Sequence, residues 1–291
     1  GLSFIEVIDT NKDKIFDKYG INLNISVIGA RKGKVENSIF DGEIETDILK
    51  VPLRADVDVV VELIGGTDIS YELATLSLKH NKHYVTANKA LMASKGKDLY
   101  LQASKRNLHI GFEASVAGGI PIIRTLRDGL ISNYVNWFAG ILNGTSNFIF
   151  SKMDTEKKSF SNALQLAQEL GFAEPDPTLD INGTDAAQKT SILSFISFAA
   201  DIAPSDVFFE GIENIDSQDM EYGKQLGLTL KPLSVGRSSK FGISMGSFPA
   251  FIKKDQILAS INNESNVVEI NTENLSSTAF SGPGAGGFPT A

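Results

Sequence analysis

Residues 56–87, DVDVVVELIGGTDISYELATLSLKHNKHYVTA, predict the fold of the first half of this 291-residue chain. Their continuous valine run is typical of a strand that is covered on both faces of a sheet. A helical pattern follows, with Asp68 or Ser70 as its N-cap, and a second strand ends at Ala87. A strand, a helix and a strand in this order predict a parallel βαβ unit.

The same alternation continues on both sides of this unit. We predict a helix that stops at Gly20 and a strand over residues 21–30 before it, and a helix over 89–107 and a strand over 108–115 after it. Residues 1–115 are therefore predicted to form a doubly wound, Rossmann-type α/β domain. Such sheets bind ligands at the carboxyl ends of their strands. At those ends the chain reads ARKGK, IGGT, TANK and EASVAGG, which are polar or glycine-rich, as a ligand-binding edge requires.

The composition excludes several classes of protein and site. The absence of Cys excludes thiolate catalysis, a cysteine metal site and disulfide bonds. A formal net charge of -8 without a basic run argues against nucleic-acid binding. The histidines His80, His83 and His109 are too scattered to indicate a metal site. No apolar run reaches the ~18 residues of a membrane span, so we expect a cytoplasmic protein with no membrane partner.

A Rossmann fold carries G-x-G-x-x-G between its first strand and first helix. The sequence instead opens at GLSFIEV, inside a helix, so we expect Gly1 to be the last glycine of that fingerprint and the first strand to precede it. The strand over residues 21–30 is then the second of the fold, where NAD-binding proteins usually place an acidic residue next to the ribose hydroxyls. Here Ala30, Arg31 and Lys32 form a cationic turn. Unless this turn is only a solvated surface segment, it suits a 2′-phosphate and favours NADP over NAD.

The second half of the chain has a different order of elements. NGTSN, residues 143–147, is a polar turn that can cap a helix. Helical patterns come first, and strand patterns follow over residues 228–238, 241–252, 257–261 and 266–272. Helices followed by strands without regular alternation predict an α+β domain on a mostly antiparallel sheet. We expect this domain to cover residues 116–278, and residues 279–291 to return to the first domain.

The stretch GFAEPDPTLDINGTDAAQK, residues 171–189, places four carboxylates and a lysine ahead of an apolar helix. At about 100° per residue, Asp185 and Lys189 fall on the helical face that also carries Ile192, Ile196 and Ala199. An exposed i, i+4 ion pair would explain the spacing of the two charges, but it would not need the apolar face. Charges at the end of a buried face must be paired or must line a polar cavity.

A functional site at this point would combine acceptors with an inward lysine. Two prolines in the upstream loop can return Glu174 and Asp180 to the cavity, where they could hold an ammonium group by charge-assisted hydrogen bonds. Lys189 could transfer a proton. Lys89 in TANK is a candidate second cation, although a lysine at a helix start is commonly a surface residue. These features fit a small substrate with an ammonium group and an alcohol or carbonyl.

Six motifs occur in order along nearly the whole chain: VELIGG, VTANKALMA, GFEASVAGGIPII, GILNGTSNFI, GFAEPDPTLDINGTDAAQK and GPGAGGFPTA. In this order and spacing they resemble the homoserine dehydrogenase family. The resemblance implies reversible hydride transfer between homoserine and aspartate 4-semialdehyde, with NAD or NADP, in the biosynthesis of threonine, methionine and isoleucine. It also implies a homodimer through the second domain's sheet. The family continues past PTA into a helix, so we expect further residues there, and no feedback site can be argued from this sequence.

The resemblance also implies roles for individual residues. Lys189 would be the acid/base residue with Asp185 beside it, and Lys89 would lie between nicotinamide and substrate. The substrate-binding residues would be Glu174, Asp180, Gly144 and Thr145. The cofactor-binding residues would be Gly1, Ala30, Arg31, Lys32, Ile64, Gly65, Lys89 and Gly286. A monovalent cation, sodium in the family, would bind mainly to backbone carbonyls of Glu113, Val116, Gly118 and Ile120.

Other proteins could share this architecture. A sugar- or inositol-type dehydrogenase would want a histidine beside the substrate in its second domain, and this chain has none after His109. Aspartate-semialdehyde dehydrogenase needs a cysteine thioester, which this chain cannot form. A non-catalytic nucleotide-binding protein would have no need of Lys89, Asp185 and Lys189 together. NADP-dependent oxidation of homoserine, with inositol as the control, separates these hypotheses.

Overall fold

The computed structural model describes residues 1–31, 40 and 42–291, and the chain forms two compact units. The first unit comprises residues 1–114 and 286–291, and the second comprises residues 115–285. The sequence predicts the return to the first unit at residue 279. The last strand of the second unit nevertheless extends to Pro283 and pairs along its whole length with the strand before it. The return therefore begins later, at Gly286.

The regular elements of the first unit are α1 (Leu2–Tyr19), β1 (Val27–Gly29), β2 (Glu43–Glu45), β3 (Val59–Glu62), α2 (Asp68–Lys79), β4 (His83–Thr86), α3 (Lys89–Ser104) and β5 (Ile110–Gly111). β1 and β2 pair in parallel, and β3, β4 and β5 form a parallel sheet in that order. Helix α2 connects β3 to β4 and helix α3 connects β4 to β5, so the predicted βαβ units are confirmed for these three strands.

Helices α2 and α3 cover one face of the β3–β4–β5 sheet. On β4, Tyr84 and Thr86 are buried, whereas Val85 between them is exposed. β3 alternates in the same way, with Val60 buried and Val59 exposed. The prediction that the valine run is covered on both faces is therefore wrong for the described residues. Right-handed crossovers place both helices on the same face, which leaves alternate side chains uncovered.

The start of α2 differs from the prediction. Thr67 is the N-cap and makes no side-chain capping bond, and Asp68 is the first helical residue. Ser70 Oγ donates to the carbonyl oxygen of Gly65 at 3.2 Å. The hydroxyl of Ser70 thus ties the first helical turn to the glycine turn before it and does not cap the helix.

The regular elements of the second unit are α4 (Ile122–Arg124), β6 (Val135–Ile141), α5 (Gly144–Glu156), α6 (Phe160–Glu169), α7 (Thr178–Ile181), α8 (Thr184–Phe198), β7 (Phe208–Phe209), α9 (Ser217–Gln225), β8 (Leu228–Ser239), β9 (Gly242–Lys253), β10 (Ser265–Thr272) and β11 (Ser276–Pro283). Their sheet has the strand order β11-β10-β6-β8-β9-β7 and is antiparallel at every pair except β7 with β9. The predicted α+β domain with a mostly antiparallel sheet is confirmed.

Two segments of the second unit differ from the prediction. The predicted strand at 257–261 is a 3₁₀ turn, Ile257–Ser260. Its backbone bonds are local, from Ala259 N to the Gln256 oxygen at 3.0 Å, so they are not available to a neighbouring strand. The sequence also fails to predict β11, because SSTAFSGP lacks an alternating apolar pattern.

A buried cluster fixes the start of α5. Phe148, Ile149, Phe150 and Met153 are buried in the core that α5 shares with α6, α9 and β8. Because α5 is buried on more than one side, its first turn has little freedom to move, and the polar residues at its N-terminus are held in place. Among the residues that the structure describes, no helix has both the length and the apolar character needed to cross a bilayer.

Candidate active site

Lys189 and Asp185 form an ion pair inside the second unit. Lys189 Nζ lies 2.8 Å from Asp185 Oδ2, and the two side chains are 13% and 3% exposed. Lys189 Nζ also donates to the carbonyl oxygen of Leu142 at 2.8 Å. Both charges thus lie on the inward face of α8, as the helical pattern predicts. Ala199 does not continue that face: it follows the last residue of α8, is exposed and has a φ of 52°, in the left-handed region.

Asn143 joins two carboxylates to the N-terminus of α5. Its Oδ1 accepts a hydrogen bond from Ser146 N at 2.8 Å, which makes it the N-cap. Its Nδ2 donates to Asp180 Oδ1 at 2.7 Å and to Asp185 Oδ2 at 2.9 Å. We call Asn143, Asp180, Asp185 and Lys189 the acid–lysine cluster.

Sequence reasoning missed Asn143 as a site residue. The sequence predicts that the turn containing Asn143 caps a helix, and this prediction is confirmed. A signal was available in the residue type. An asparagine N-cap uses only its side-chain oxygen for capping and keeps two N–H donors for other acceptors. The side chains of serine, threonine and aspartate have no N–H donors.

Asp180 is held by the first turn of α5. Thr145 Oγ1 lies 3.5 Å from Asp180 Oδ2 and donates to the carbonyl oxygen of Phe172 at 2.6 Å. Ser146 Oγ donates to the backbone oxygen of Asp180 at 2.9 Å. Gly144 precedes them, and a Cβ at that position would lie only 2.7 Å from the backbone oxygen of Glu264. Gly144, Thr145 and Asp180 are therefore brought together as expected.

Glu174 lies outside the acid–lysine cluster. It is exposed, and its backbone oxygen accepts a bond from Gln168 Nε2 at 3.2 Å. Its carboxylate makes no hydrogen bond to a residue that the structure describes. Asp176 accepts hydrogen bonds from the hydroxyl and the backbone N–H of Thr178 at the start of α7. These two bonds hold the pKa of Asp176 below its usual range. The chain thus re-enters the interior only after Glu174.

In the first unit, Glu62 organises the turn after β3. It is buried, and its Oε1 accepts bonds from the backbone nitrogens of Ile64 at 2.7 Å and Gly65 at 3.0 Å. Its Oε2 accepts a bond from Thr86 Oγ1 at 2.7 Å. Gly65 and Gly66 have φ values of 76° and 78°, which favour glycine, and no atom packs against the position of a Cβ at either residue. The turn is therefore rigid and open.

Asn88 ties the end of β4 to the same turn. Its Oδ1 accepts a bond from Leu91 N at 3.1 Å and caps α3, and its Nδ2 donates to the Gly66 oxygen at 2.5 Å. Lys89 is the first residue of α3 and is half-buried. It lies at the carboxyl edge of the parallel strands, as the sequence predicts. Burial and the nearby Glu62 raise the pKa of the Tyr84 phenol, which donates to the Ser70 oxygen at 3.2 Å.

The other predicted cofactor residues belong to the first unit. Gly1 is the exposed N-cap of α1, and Ala30 follows β1 and donates its backbone N–H to the Glu45 oxygen at 3.0 Å. Arg31 is exposed, and Lys32 lies outside the described residues. Gly286 has a φ of 118°, and its oxygen accepts a bond from Thr290 Oγ1 at 2.6 Å.

The predicted cation-binding residues fall in both units. Glu113 belongs to the first unit, and Val116, Gly118 and Ile120 belong to the second. In the second unit, Ala117 and Gly118 have φ values of 57° and 55°, so two successive residues are left-handed. The Ile120 oxygen accepts a bond from Ile122 N at 2.8 Å. Within the described residues, no three His, Asp or Glu side chains form a group that could hold a metal ion.

Two family models match the chain. The model described as "Homoserine dehydrogenase, NAD binding domain" matches residues 1–113, and the model described as "Homoserine dehydrogenase" matches residues 121–291. The boundary between the matches falls close to the boundary between the two units.

Relatives in several bacteria carry the same name. The homoserine dehydrogenase of Pseudomonas aeruginosa is 39% identical over 285 residues, which cover 98% of this chain and 66% of that protein. The one from Bacillus subtilis is 38% identical and covers 100% of this chain and 68% of that protein. The chain thus spans about two thirds of the length of the curated relatives it matches.

Solved structures agree with the sequence comparison. A homoserine dehydrogenase from Thiobacillus denitrificans superposes with a TM-score of 0.95 at 36% identity, covering 100% of this chain and 68% of that one. The Staphylococcus aureus homoserine dehydrogenase at pH 6.5 gives a TM-score of 0.88 at 34% identity, covering 100% of this chain and 71% of that one. The Rossmann-type first domain followed by a second domain is confirmed. The chain belongs to the homoserine dehydrogenase family.

Proposed function

We propose that this chain catalyses the reversible NAD(P)-dependent oxidation of L-homoserine to L-aspartate 4-semialdehyde. One observation carries the proposal: a lysine and an aspartate form an ion pair on the inward face of α8, next to a second aspartate held by the same asparagine. A sugar- or inositol-type dehydrogenase and a non-catalytic nucleotide-binding protein are not favoured, because the family matches extend over both units.

Lys189 is the proposed acid/base residue. Oxidation of an alcohol by hydride loss also requires the hydroxyl proton to leave, and a positioned base must accept it. A lysine nitrogen has three positions besides its bond to the ε carbon. Asp185 and the Leu142 oxygen take two of these positions in the described residues, so the third can face the substrate oxygen. Lys189 would accept the proton there in oxidation and return it in reduction.

Asp180 and Glu174 are the proposed partners of the substrate's ammonium group. Asp180 is a carboxylate that Asn143 and Thr145 hold beside the first turn of α5, and carboxylate oxygens accept charge-assisted hydrogen bonds from an ammonium group. Glu174 has an exposed carboxylate without a hydrogen bond to a described residue, which leaves it able to bind a ligand. Gly144 and Thr145 form the adjoining first turn of α5.

NAD(P) would supply the hydride acceptor of the reaction. The residues of the first unit fit such a group at one point, because the left-handed Gly65 and Gly66 leave the turn after β3 open to a flat ring or a sugar. The backbone N–H groups of Ile64 and Gly65 already donate to Glu62, so they are not available to a phosphate of the cofactor. The turn would instead contact the cofactor through van der Waals packing. The exposed Arg31 favours NADP, with its extra phosphate, over NAD.

Three further assignments rest mainly on the family likeness. Lys89 would support catalysis as a second cation. A monovalent cation, sodium by the likeness, would bind to carbonyls of the loop that contains Val116, Gly118 and Ile120, with Glu113, and activity should then respond to sodium at constant ionic strength.

The chain would also form a homodimer through its antiparallel sheet, where Trp137, Phe138 and Phe248 line an apolar cavity of about 430 Å³. Light scattering at micromolar concentration would test the dimer.

The decisive assay follows the reduced cofactor spectroscopically while homoserine is oxidised. We expect turnover with homoserine, none with inositol, and a higher kcat/KM with NADP than with NAD. Lys189→Met should abolish most of the turnover. The matched control is Lys152→Met, because Lys152 forms the same i, i+4 pair with Glu156 on α5 but at the surface. A wild-type protein that binds the cofactor and leaves homoserine unchanged would contradict the proposal.

A further inference from the structure

Asn266 and Lys189 share one backbone acceptor. Asn266 Nδ2 donates to the carbonyl oxygen of Leu142 at 3.1 Å, and Lys189 Nζ donates to the same oxygen at 2.8 Å. Leu142 follows the last residue of β6, and Asn266 is on the neighbouring strand β10. A carbonyl oxygen has two lone pairs, so these two bonds use both acceptor positions.

Asn266 is an unexpected residue at its position if its role is only structural. It is fully buried, and its neighbours along β10, Val267 and Val268, are buried and apolar. Its Oδ1 has no hydrogen-bond partner in the part of the chain that the structure describes. A buried polar atom without a partner costs free energy, so an apolar side chain would stabilise the core better. The amide is therefore retained for the bond that its Nδ2 makes.

The backbone of Gly284 holds the Asn266 amide in place. A Cβ on Gly284 would overlap the side-chain amide of Asn266, so only glycine allows this approach. Gly284 in turn packs against Gly118, where a Cβ would lie 2.5 Å from the Gly284 carbonyl. The orientation of the amide is thus set by packing, as a residue that positions another group requires.

We propose that Asn266 is a positioning residue for Lys189. Its N–H fixes the direction of the Leu142 carbonyl and occupies the second lone pair, so Lys189 Nζ has one place to bind on that oxygen. With Asp185 fixing a second direction, the remaining position of Nζ points one way. Without the amide, the carbonyl can tilt and Nζ can move to the freed lone pair. This inference rests on the proposed role of Lys189 in catalysis.

The test replaces Asn266 and a matched asparagine. Asn266→Leu keeps the branched carbon skeleton and removes both polar atoms. Asn147→Leu is the control, because Asn147 is also fully buried with an unpartnered Oδ1 in the described chain, but its Nδ2 donates to the Ile261 and Ser265 oxygens. Asn266→Ala is the second variant if leucine prevents folding, since it removes the donor and adds no bulk next to Gly284.

We expect Asn266→Leu to lower kcat about 10- to 100-fold while KM for homoserine changes less than about threefold, because a misplaced base costs rate more than binding. The melting temperature of Asn266→Leu should stay close to that of the wild-type protein, so that the loss of kcat does not come from unfolding. The ε-carbon resonance of Lys189, in protein labelled at that carbon and assigned by its loss in Lys189→Arg, should shift in Asn266→Leu. Asn147→Leu should leave that resonance and kcat unchanged.

The outcomes of this test separate the inference from the proposed function. If the wild-type protein oxidises homoserine and Asn266→Leu leaves both kcat and the Lys189 resonance unchanged, Asn266 does not position Lys189. The same conclusion holds if Asn147→Leu lowers kcat as much as Asn266→Leu does. If the wild-type protein does not oxidise homoserine but the Lys189 resonance still responds only to Asn266, the proposed function fails and the positioning stands.

Discussion

Lys189 Nζ lies 2.8 Å from Asp185 Oδ2, one turn earlier on α8, and both side chains are largely buried. Lys152 and Glu156 form a pair with the same spacing on α5, at 2.6 Å, but Glu156 is 42% exposed. Removing one partner of a buried pair leaves the other charge in the interior, whereas water can replace a lost partner at the surface. The two pairs should therefore respond differently to the same substitution.

Lys189→Met should affect both activity and stability. Turnover should fall by about 10²–10⁴-fold, the usual range for loss of a general acid or base. The free energy of unfolding should fall by up to about 3–5 kcal/mol, because the buried Asp185 loses its ion pair with Lys189. Lys152→Met should change the free energy of unfolding by less than about 1 kcal/mol. Urea denaturation and steady-state kinetics measure both effects.

A double variant separates the two roles of Lys189. Asp185→Asn combined with Lys189→Met removes both charges and should recover much of the lost stability, while turnover stays low. Recovery of turnover together with stability would mean that the single variant was inactive because it was poorly folded. The base would then have to be sought elsewhere, first at Lys89.

Glu174→Gln should raise KM for homoserine without affecting stability. Its carboxylate is exposed and has no bond to a described residue, so neutralising it leaves no group unpaired. Loss of one charge-assisted bond to the substrate ammonium corresponds to about 1.5–3 kcal/mol, or a KM about 10- to 100-fold higher. Glu169→Gln is the control, since Glu169 is an exposed carboxylate on the preceding helix. An unchanged KM would remove Glu174 from the substrate site.

The sequence could predict most of the acid–lysine cluster because the helical period is a local property. Asp185 and Lys189 are four residues apart, so their common inward face follows from the repeat of α8 alone. Asp180 follows from the same acidic stretch and lies where expected, next to Thr145. The βαβ order of the first unit was predictable for a related reason, since each strand and helix has its own pattern.

Contacts between distant segments could not be predicted. Asn266 meets the Leu142 oxygen because β10 lies beside β6, and that pairing joins residues more than one hundred positions apart. β11 was missed because its residues are polar or small and it is held by pairing with β10. Val59 and Val85 are exposed because the crossover helices cover only the other face of the sheet. A run of valines does not predict which face the helices will cover.

Gly118→Ala should destabilise the second unit more than Gly171→Ala. Both glycines are left-handed, with φ values of 55° and 77°, so each substitution should cost about 1–2 kcal/mol in backbone strain. A Cβ on Gly118 would also lie 2.5 Å from the Gly284 carbonyl, whereas nothing lies within 4 Å of a Cβ on Gly171. Overpacking adds about 1–3 kcal/mol at Gly118. Equal losses in urea denaturation would show that the two loops do not pack as described.

Lys231 should make the stability of the second unit depend on pH. It is buried on β8, where its Nζ donates to the Ile261 oxygen at 2.5 Å and to Asn262 Oδ1 at 2.8 Å. Burial lowers the pKa of Lys231 from 10.5 to about 8, against a smaller opposing effect of Asp154. Between these two pKa values the unfolded chain binds more protons than the folded chain, so this group makes stability rise with pH. Its unfavourable contribution is complete below pH 8 and disappears above pH 10.5.

Lys231→Met isolates this effect from the titration of other groups. The wild-type protein should gain about 2 kcal/mol of stability relative to Lys231→Met as pH rises from 7.5 to 9.5, out of about 3 kcal/mol over the full titration. Lys253→Met is the control, because Lys253 is exposed at the end of β9 and should show no such trend. Urea denaturation at several pH values measures the difference directly. A difference between wild type and Lys231→Met that stays constant, or that changes in the opposite direction, would mean that Lys231 keeps its charge in the folded protein throughout this window.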